Sequence, residues 1–402
     1  MKKIYLHIVI LYLGIFTAHA QVRSQPVRTD TSNYQSRKLK LEEVNIVSSY
    51  YNQNGNNSAV TGGIGTEKLS DIANTFDVQL SKYGKSKIKN TFLFEIGIDH
   101  YTSASSDKID PSTISSASSA DTRIYPSLNW TRLNEKTENS YGFTGSFSTE
   151  FDYNSVGGGF NLTRVSKDKN TQFDFKLQAF LDTWTVILPI ELRTGPSKGH
   201  DNYTTSPRNS FSSSFSLSQV ITDKLQALLI IEPSYQKGLL ATKYQRNYFT
   251  DGSLRAENLP NKRYKLPIAV RLNYFLNDNF IIRSFYRYYS DDWGIKAHTA
   301  EIEVPIKLNS FFSISPFYRY SEQTGVKYFA AYGQHNINET YYTSDYDLST
   351  LNSNFYGLGI HFSPPKGVFG LQRLNTLELR YGHYTRSTNL TSNVVSLNLK
   401  FK

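Results

Sequence analysis

The glycine-rich segment GGIGTEKLSD, residues 62–71, contains the residue types of a phosphate-binding loop. A Walker-type loop needs Lys directly after its last glycine, and Ser or Thr directly after that Lys. Here Thr66 and Glu67 separate Gly65 from Lys68, and Leu69 follows. The spacing therefore argues against a nucleotide site. It favours glycines that permit a bend or a bulge in the link between two strands.

A second segment has the residue types of a hydrolase site. Asp99 and His100 precede Ser103, Ser105 and Ser106, so that a base and a nucleophile stand close together in sequence. Adjacent residues of a strand point to opposite faces, however, and this favours a polar loop end. We therefore expect no catalytic residues, and a protein that is not an enzyme.

Ligands for metals are sparse in the sequence. Asp107, Asp110 and Asp121 could offer carboxylate oxygens to calcium, but they lack the spacing of an EF-hand loop. The chain contains no cysteine, which excludes disulfides, thiolate-bound zinc and a cysteine nucleophile. We expect neither a metal nor another cofactor.

Charged residues recur at alternate positions of otherwise apolar segments. If the apolar positions face lipid, these charges face inward. Two interpretations stay open: a hydrated pore in which carboxylates face arginines, or a closed barrel filled by arginine–carboxylate pairs. The candidate pore-lining residues are Glu95, Asp99, Glu150, Asp152, Asp174, Asp182, Arg271, Arg283, Arg287, Glu301, Glu303, Arg319 and Arg380.

A period of two identifies the elements that must position these charges. At the C-terminus Val395, Leu397, Leu399 and Phe401 share one face, and polar residues alternate with them. Comparable segments of roughly ten residues recur along the chain from residue 41, and we find no convincing amphipathic helix. The pattern predicts an all-β fold with about 16 strands, within a range of 14–18.

The links between these segments alternate in length. Short turns are predicted near 167–170, 222–224, 277–278 and 309–310, and long loops near 103–121, 188–209, 238–265 and 322–353. Short turns on one rim and long loops on the other are typical of outer-membrane barrels. Only a closed barrel satisfies all backbone groups in hydrocarbon without helices. We predict a closed antiparallel transmembrane β-barrel with short periplasmic turns and long extracellular loops.

The N-terminus predicts export. Lys2 and Lys3 precede an apolar run, and Ala18-His19-Ala20 offers a small-residue cleavage site, as in a secretory signal peptide. We expect a signal peptide over 1–20, a flexible periplasmic segment over 21–40 and the barrel over 41–402. The predicted location is the outer membrane of a Gram-negative bacterium.

Composition agrees with a membrane barrel. Aromatic residues make up 14% of the chain, with 29 Tyr and 25 Phe, which could form belts at the two membrane interfaces. An aromatic slide for sugars would instead require rings that point inward. The formal charge of +10 is spread along the chain, which counts against nucleic acid as a partner.

Two stretches resemble a known family. SYYNQNGNNSAVTGGIGTEKLSDIA, residues 49–73, and DHYTSASSDKID, residues 99–110, are similar to a family of uncharacterised bacterial outer-membrane proteins described as a domain of unknown function. The resemblance extends over most of the mature chain. It implies a signal-bearing barrel without an established activity. It also implies gene neighbours such as a flavin transferase and thioredoxin-like or lipoprotein partners, and hence a cell-envelope redox role.

These observations favour a porin-like channel for small polar or anionic solutes. The alternative is a closed barrel that acts as a structural or redox-associated scaffold for envelope partners; an outer-membrane hydrolase is a third interpretation. The partners we expect are outer-membrane lipid, the barrel-insertion machinery, and periplasmic or lipoprotein components of the envelope.

Overall fold

The computed structural model describes residues 38–84, 87–102, 120–193 and 204–402. The predicted signal peptide, residues 1–20, and almost all of the predicted periplasmic segment lie outside these residues. Among the described residues, no helix is both long enough and apolar enough to cross a membrane.

The described residues form strands joined by turns and loops. The strands are β1 (Lys40–Asn54), β2 (Leu69–Tyr83), β3 (Ile88–Tyr101), β4 (Asp121–Asn134), β5 (Asn139–Glu150), β6 (Tyr153–Val165), β7 (Thr171–Val186), β8 (Thr204–Val220), β9 (Leu225–Ile231), β10 (Ser234–Gly238), β11 (Arg246–Tyr248), β12 (Leu254–Ala256), β13 (Lys262–Phe275), β14 (Ile281–Asp291), β15 (Lys296–Glu303), β16 (Ile306–Asn309), β17 (Phe312–Gln323), β18 (Leu351–Phe362), β19 (Leu374–Arg386) and β20 (Leu390–Phe401). Short 3₁₀ turns occur at Ala59–Thr61, Ile190–Leu192, Tyr346–Leu348 and Val368–Gly370.

One sheet closes on itself. Each long strand pairs antiparallel with the next, and β20 pairs with β1, for example Ile46 opposite Leu399. Residues Glu232-Pro233 separate β9 from β10, and Val304-Pro305 separate β15 from β16, because proline cannot donate to the ladder. Strands β9 and β10 together occupy one position of the ring, and so do β15 and β16, so the ring has sixteen positions. This confirms the predicted fold. The small hairpin of β11 and β12 lies outside the ring.

The two faces of the strands differ as a transmembrane barrel requires. Large apolar side chains are exposed at alternate positions, for example Leu128, Phe143, Val156 and Leu181. In a closed ring these side chains form the outer face, which contacts lipid. The opposite, inner face is rich in Ser, Thr, Asn and charged residues.

The links on one rim of the barrel are short, as predicted, except for residues 363–373 between β18 and β19. The turns at 84–87, 135–138, 166–170, 221–224, 276–280 and 310–311 are short, and both ends of the barrel, Lys40 and Phe401, lie on this rim. The loops 55–68, 239–261 and 324–350 and the described residues 187–193 lie on the other rim, together with short turns at 151–152, 292–295 and 387–389. The inner face is more buried near the long loops, where Ser155, Asp182, Thr299, Ser353 and Ser392 are buried.

Candidate functional site

The strand register places all the candidate pore-lining residues except Asp152 on the inner face. Each lies next to an outward apolar or aromatic side chain: Arg271 stands between Val270 and Leu272, and Asp182 follows Leu181. Asp152 does not belong to a strand, because β5 ends at Glu150 and a two-residue turn follows. Its side chain is buried at the long-loop rim.

Arginines dominate the inner face from β13 to β19, which we call the arginine wall. Glu303 accepts hydrogen bonds from Arg283 at 3.2 Å and from Arg380 at 3.0 Å, and Glu301 pairs with Arg319 at 2.5 Å. The two carboxylates are only 12% and 22% exposed, whereas the three arginines are 39–47% exposed. The pairs therefore line the wall and leave the guanidinium groups accessible to solvent in the lumen.

Two further arginines of this wall have no carboxylate partner among the described residues. Arg271 lies over the Phe285 ring at 5.5 Å, and the Arg287 side chain is exposed without a hydrogen bond to any described residue. The arginine wall thus carries more positive charge than its glutamates compensate. An anion in the lumen would be attracted to it.

Aromatic rings hold several of these arginines against the wall. Arg319 lies 5.6 Å from the Phe355 ring centroid and Arg380 lies 5.4 Å from that of Phe317. The Phe355 ring in turn lies against Gly382, where a Cβ atom would come within 2.5 Å of it. A guanidinium stacked on a ring keeps its N–H edge free for an oxyanion. The rings therefore orient the arginines without consuming their donors.

The inner face from β3 to β8, which we call the hydroxyl wall, was expected to be rich in carboxylates that face the arginines. Several of its carboxylates accept hydrogen bonds from neighbouring hydroxyls: Asp99 from Tyr125 at 2.9 Å, Glu150 from Tyr101 at 2.8 Å and Asp174 from Thr163 at 2.7 Å. Asp182 accepts from Ser155 at 2.7 Å and pairs with Arg208 at 3.1 Å. Glu95 lies opposite Asp77 on β2.

Long loops meet across the outer mouth of the barrel. Loop 55–68 follows the first ring position and loop 239–261 follows the ninth, so they start on opposite sides of the ring. Nevertheless Arg246 donates from Nη1 to the Val60 carbonyl at 3.1 Å, and from Nε and Nη2 to Glu191 at 3.2 and 3.0 Å. Loops 55–68, 187–193, 239–261 and 324–350 therefore form a structure that bridges the mouth, which we call the loop cap.

The loop cap has a dry interior. Phe249 is 2% exposed, and its ring lies 4.9 Å from that of Tyr342 and 5.5 Å from that of the buried His335. His335 contacts Glu339 through Nδ1 at 2.8 Å and the Ser344 hydroxyl through Nε2 at 3.2 Å. Packing of this kind fixes the loops against one another.

Carboxyls inside the loop cap have raised pKa values. Burial raises the pKa of the Glu257 carboxyl to about 8, and Thr343 and the Thr242 amide hydrogen-bond its oxygens, both at 2.5 Å. Burial and the neighbouring Asp347 raise the pKa of Glu67 to about 7. Burial likewise raises the pKa of Asp345. The loop cap therefore holds groups that titrate near neutral pH.

The glycines of the GGIGTEKLSD segment serve the packing of the loop cap. Gly62 and Gly63 have positive φ angles of 80° and 85°, the left-handed region that glycine adopts without strain. A Cβ atom at Gly63 would lie 2.7 Å from the Tyr346 ring, and one at Gly62 would lie 2.8 Å from that of Tyr248. As the sequence indicated, the glycines permit a tight bend in the link between β1 and β2.

The residues considered for catalysis lie apart. Asp99 is on the inner face, while His100 is on the outer face and contacts the Thr122 hydroxyl at 2.9 Å. Ser103, Ser105, Ser106, Asp107 and Asp110 lie outside the described residues. Within the described ranges, no group of three or more His, Asp or Glu side chains is placed to hold a metal ion.

Sequence reasoning missed several charged residues. Arg123, Lys176 and Arg208 alternate with apolar residues on β4, β7 and β8, so the period of two could have identified them. Not every tyrosine belongs to a belt on the outer face, since Tyr51 and Tyr289 have inner-face register. Arg246 and Glu257 lie in a loop, where no period marks a residue.

Known structures with barrels show limited similarity to this chain. A bacterial polysaccharide outer membrane secretin is 9% identical, with a TM-score of 0.47 over 89% of this chain and 98% of that one. The siderophore receptor PirA from Acinetobacter baumannii is 11% identical (TM-score 0.46), over 85% of this chain and 53% of that one. OpdQ from Pseudomonas aeruginosa is 9% identical (TM-score 0.38), over 91% of this chain and 99% of that one. At this level of similarity, the activities of those proteins are not transferred to this chain.

No curated protein sequence matches the chain. A family model described as "Protein of unknown function (DUF3570)" matches residues 87–393, which include most of the barrel and of the loop cap. The protein is a closed antiparallel transmembrane β-barrel that belongs to the DUF3570 family.

Proposed function

We propose that the barrel is a passage for small polar solutes that prefers anions, with the loop cap as its outer gate. The observation that carries the proposal is the half-exposed state of Arg283, Arg319 and Arg380 in the lumen. Arginines in a dry, filled barrel would be buried with their partners, because an uncompensated charge is costly there. A ring of sixteen strands is also wide enough for an aqueous channel.

A closed scaffold for envelope partners is the second candidate function. The contact between Arg246 and Val60 across the mouth favours it, because loops that bridge the mouth obstruct passage. The two functions differ in whether the loop cap opens. We propose no catalytic step and no cofactor for either function.

Conductance across a planar lipid bilayer tests the proposal. Under a KCl gradient, the purified protein should conduct, and the sign of its reversal potential should report a preference for chloride. Arg246→Met, which loosens the loop cap, should increase the conductance. Arg287→Gln and Arg271→Gln should each reduce the chloride preference, by roughly fivefold for an ion that passes within about 4 Å of the charge in water.

Arg164→Gln is the matched control, since Arg164 is an exposed residue of β6 on the outer face and should not alter selectivity. A reversal potential of the cation sign would contradict the proposal. Silence of both the wild type and Arg246→Met would contradict it as well, and would support the scaffold.

A further inference from the structure

A cavity of about 480 Å³ lies in the hydroxyl wall. Side chains from β3 to β8 line it, and almost all of them have inner-face register. The cavity is separate from the arginine wall on the other side of the ring. Its volume is in the range of small-molecule sites.

Two cationic side chains of this cavity have N–H groups that bond no described residue. The Arg123 guanidinium lies over the rings of Tyr125 at 5.3 Å and Tyr153 at 5.7 Å, and its Nε donates to the Ser148 hydroxyl at 2.8 Å. Its two terminal nitrogens have no hydrogen-bond partner among the described residues. The Lys176 ammonium, on an exposed side chain, likewise has no partner among them. An anionic group would satisfy both.

The remaining polar lining consists mostly of neutral groups that both donate and accept. Hydroxyls and an amide come from five neighbouring strands, β4 to β8: Ser127, Thr144, Ser146, Ser148, Ser155, Gln178 and Ser210. Rings of Tyr125 and Phe180 add apolar surface. The Tyr125 ring lies against Gly97, where a Cβ atom would come within 2.0 Å of it. Sugars are complementary to this lining, because they carry hydroxyl groups at their edges and C–H groups on their faces.

Among the described residues, the two carboxylates of the cavity lining form no ion pair with Arg123 or Lys176. Asp182 is paired with Arg208 at 3.1 Å and accepts from Ser155, so its charge is compensated. Glu95 is the other carboxylate of the lining, and it faces Asp77 across the β2–β3 pair. The N–H groups of Arg123 and Lys176 that bond no described residue therefore remain available to an anionic group.

We infer that this cavity binds a polyhydroxylated compound with one acidic group, of the size of a sugar acid, as it passes through the lumen. The acidic group contacts Arg123 and Lys176, the hydroxyls contact the Ser and Thr side chains, and a C–H face lies against an aromatic ring. This inference rests on the proposed function, since it names the solute class that the channel would carry.

Calorimetric titration of the detergent-solubilised full chain tests the site with four probes. Glucuronate should bind. Glucose, which lacks the acid, and acetate, which lacks the hydroxyls, should each bind roughly tenfold more weakly or worse, as expected when a charge-assisted hydrogen bond or several neutral ones are lost. Glucosamine, which carries the opposite charge, should bind weakest.

Lys176→Met and Arg123→Met should each weaken glucuronate binding by about tenfold or more. Lys176 is the safer variant, because its exposed side chain has no packing role, whereas Arg123 also packs on two rings. Lys167→Met is the matched control: it removes an exposed lysine of the neighbouring 166–170 turn and should leave binding unchanged.

Some outcomes would overturn the inference. These are glucosamine binding as tight as glucuronate, acetate binding as tight as glucuronate, or an unchanged affinity in Lys176→Met. Because binding is measured without ion flow, the site and the channel can fail separately. Glucuronate binding in a barrel that never conducts would keep the site and refute the channel. A chloride-selective barrel that does not bind glucuronate would refute the site and keep the channel.

Discussion

Arg246 and Arg287 are the same residue type in two different settings. Arg246 is 2% exposed in the loop cap, where it forms a bidentate pair with Glu191 and also bonds a backbone carbonyl. Arg287 is exposed on the arginine wall and bonds no described residue. One arginine holds loops together in a dry region, and the other offers its charge to a wet lumen. The difference shows that burial and hydrogen-bond partners, not residue type, decide whether a charge stabilises the fold or interacts with a solute.

Among the substitutions, the largest effect is expected when Arg246 is removed from the loop cap. Arg246→Met should lower the free energy of opening the loop cap by about 2 kcal/mol, below the value for a fully buried pair, because Glu191 stays half-exposed. Hydrogen exchange of the Thr61 and Gly63 amides, which bond the Ser58 carbonyl, should accelerate by roughly thirtyfold. Arg287→Met is the control and should leave these amides unaffected. Equal effects of the two variants would refute the comparison.

A separate effect on the loop cap is expected from pH. The pKa of Glu257 is about 8 in the folded loop cap and about 4.3 in an unfolded chain. The folded state therefore binds more protons between these values, so the stability of the loop cap falls as pH rises through this window. Raised pKa values of Glu67 and Asp345 act in the same direction.

Exchange at the Tyr342 amide, corrected for the intrinsic rate, should be faster at pH 8 than at pH 5. Glu257→Gln should flatten this dependence, since the amide keeps polar contacts without a charge. Asp251→Asn is the control, because Asp251 is a fully exposed carboxylate of the same loop and its pKa is lowered. A wild-type loop cap that tightens as pH rises would contradict the assignment.

The barrel could be predicted from the sequence and the loop cap could not, for a physical reason. Alternation places Val270 and Leu272 outside and Arg271 inside whatever the strand's neighbours are, since the period of two belongs to the strand itself. The link between Val60 and Arg246 depends on two loops that are far apart in sequence and meet across the mouth. No local pattern encodes such a contact.

The candidate site was predictable only in part for the same reason. The inner-face register of Arg283, Glu303 and Arg380 follows from alternation. Their shared contact does not, because Glu303 joins an arginine of the adjacent strand to one from β19, three ring positions away. The stacking of Arg319 on Phe355 likewise requires the pairing of β17 with β18. The sequence alone predicts which face of the sheet a residue occupies, but not which side chains from other strands it contacts.

The smallest effect is expected from the pair of Glu301 and Arg319 in the lumen. Arg319 is 45% exposed and rests on the Phe355 ring, so removal of Glu301 leaves the guanidinium in place. A double-mutant cycle with Glu301→Gln and Arg319→Gln should give a coupling free energy of about 0.2–1 kcal/mol, as for solvated ion pairs. Glu301→Gln should still raise the chloride preference in the bilayer, since it removes a negative charge from the arginine wall. A coupling well above 2 kcal/mol would instead indicate a dry pair. In that case the lumen would resemble the loop cap, and the barrel would be a closed one filled by its own ion pairs.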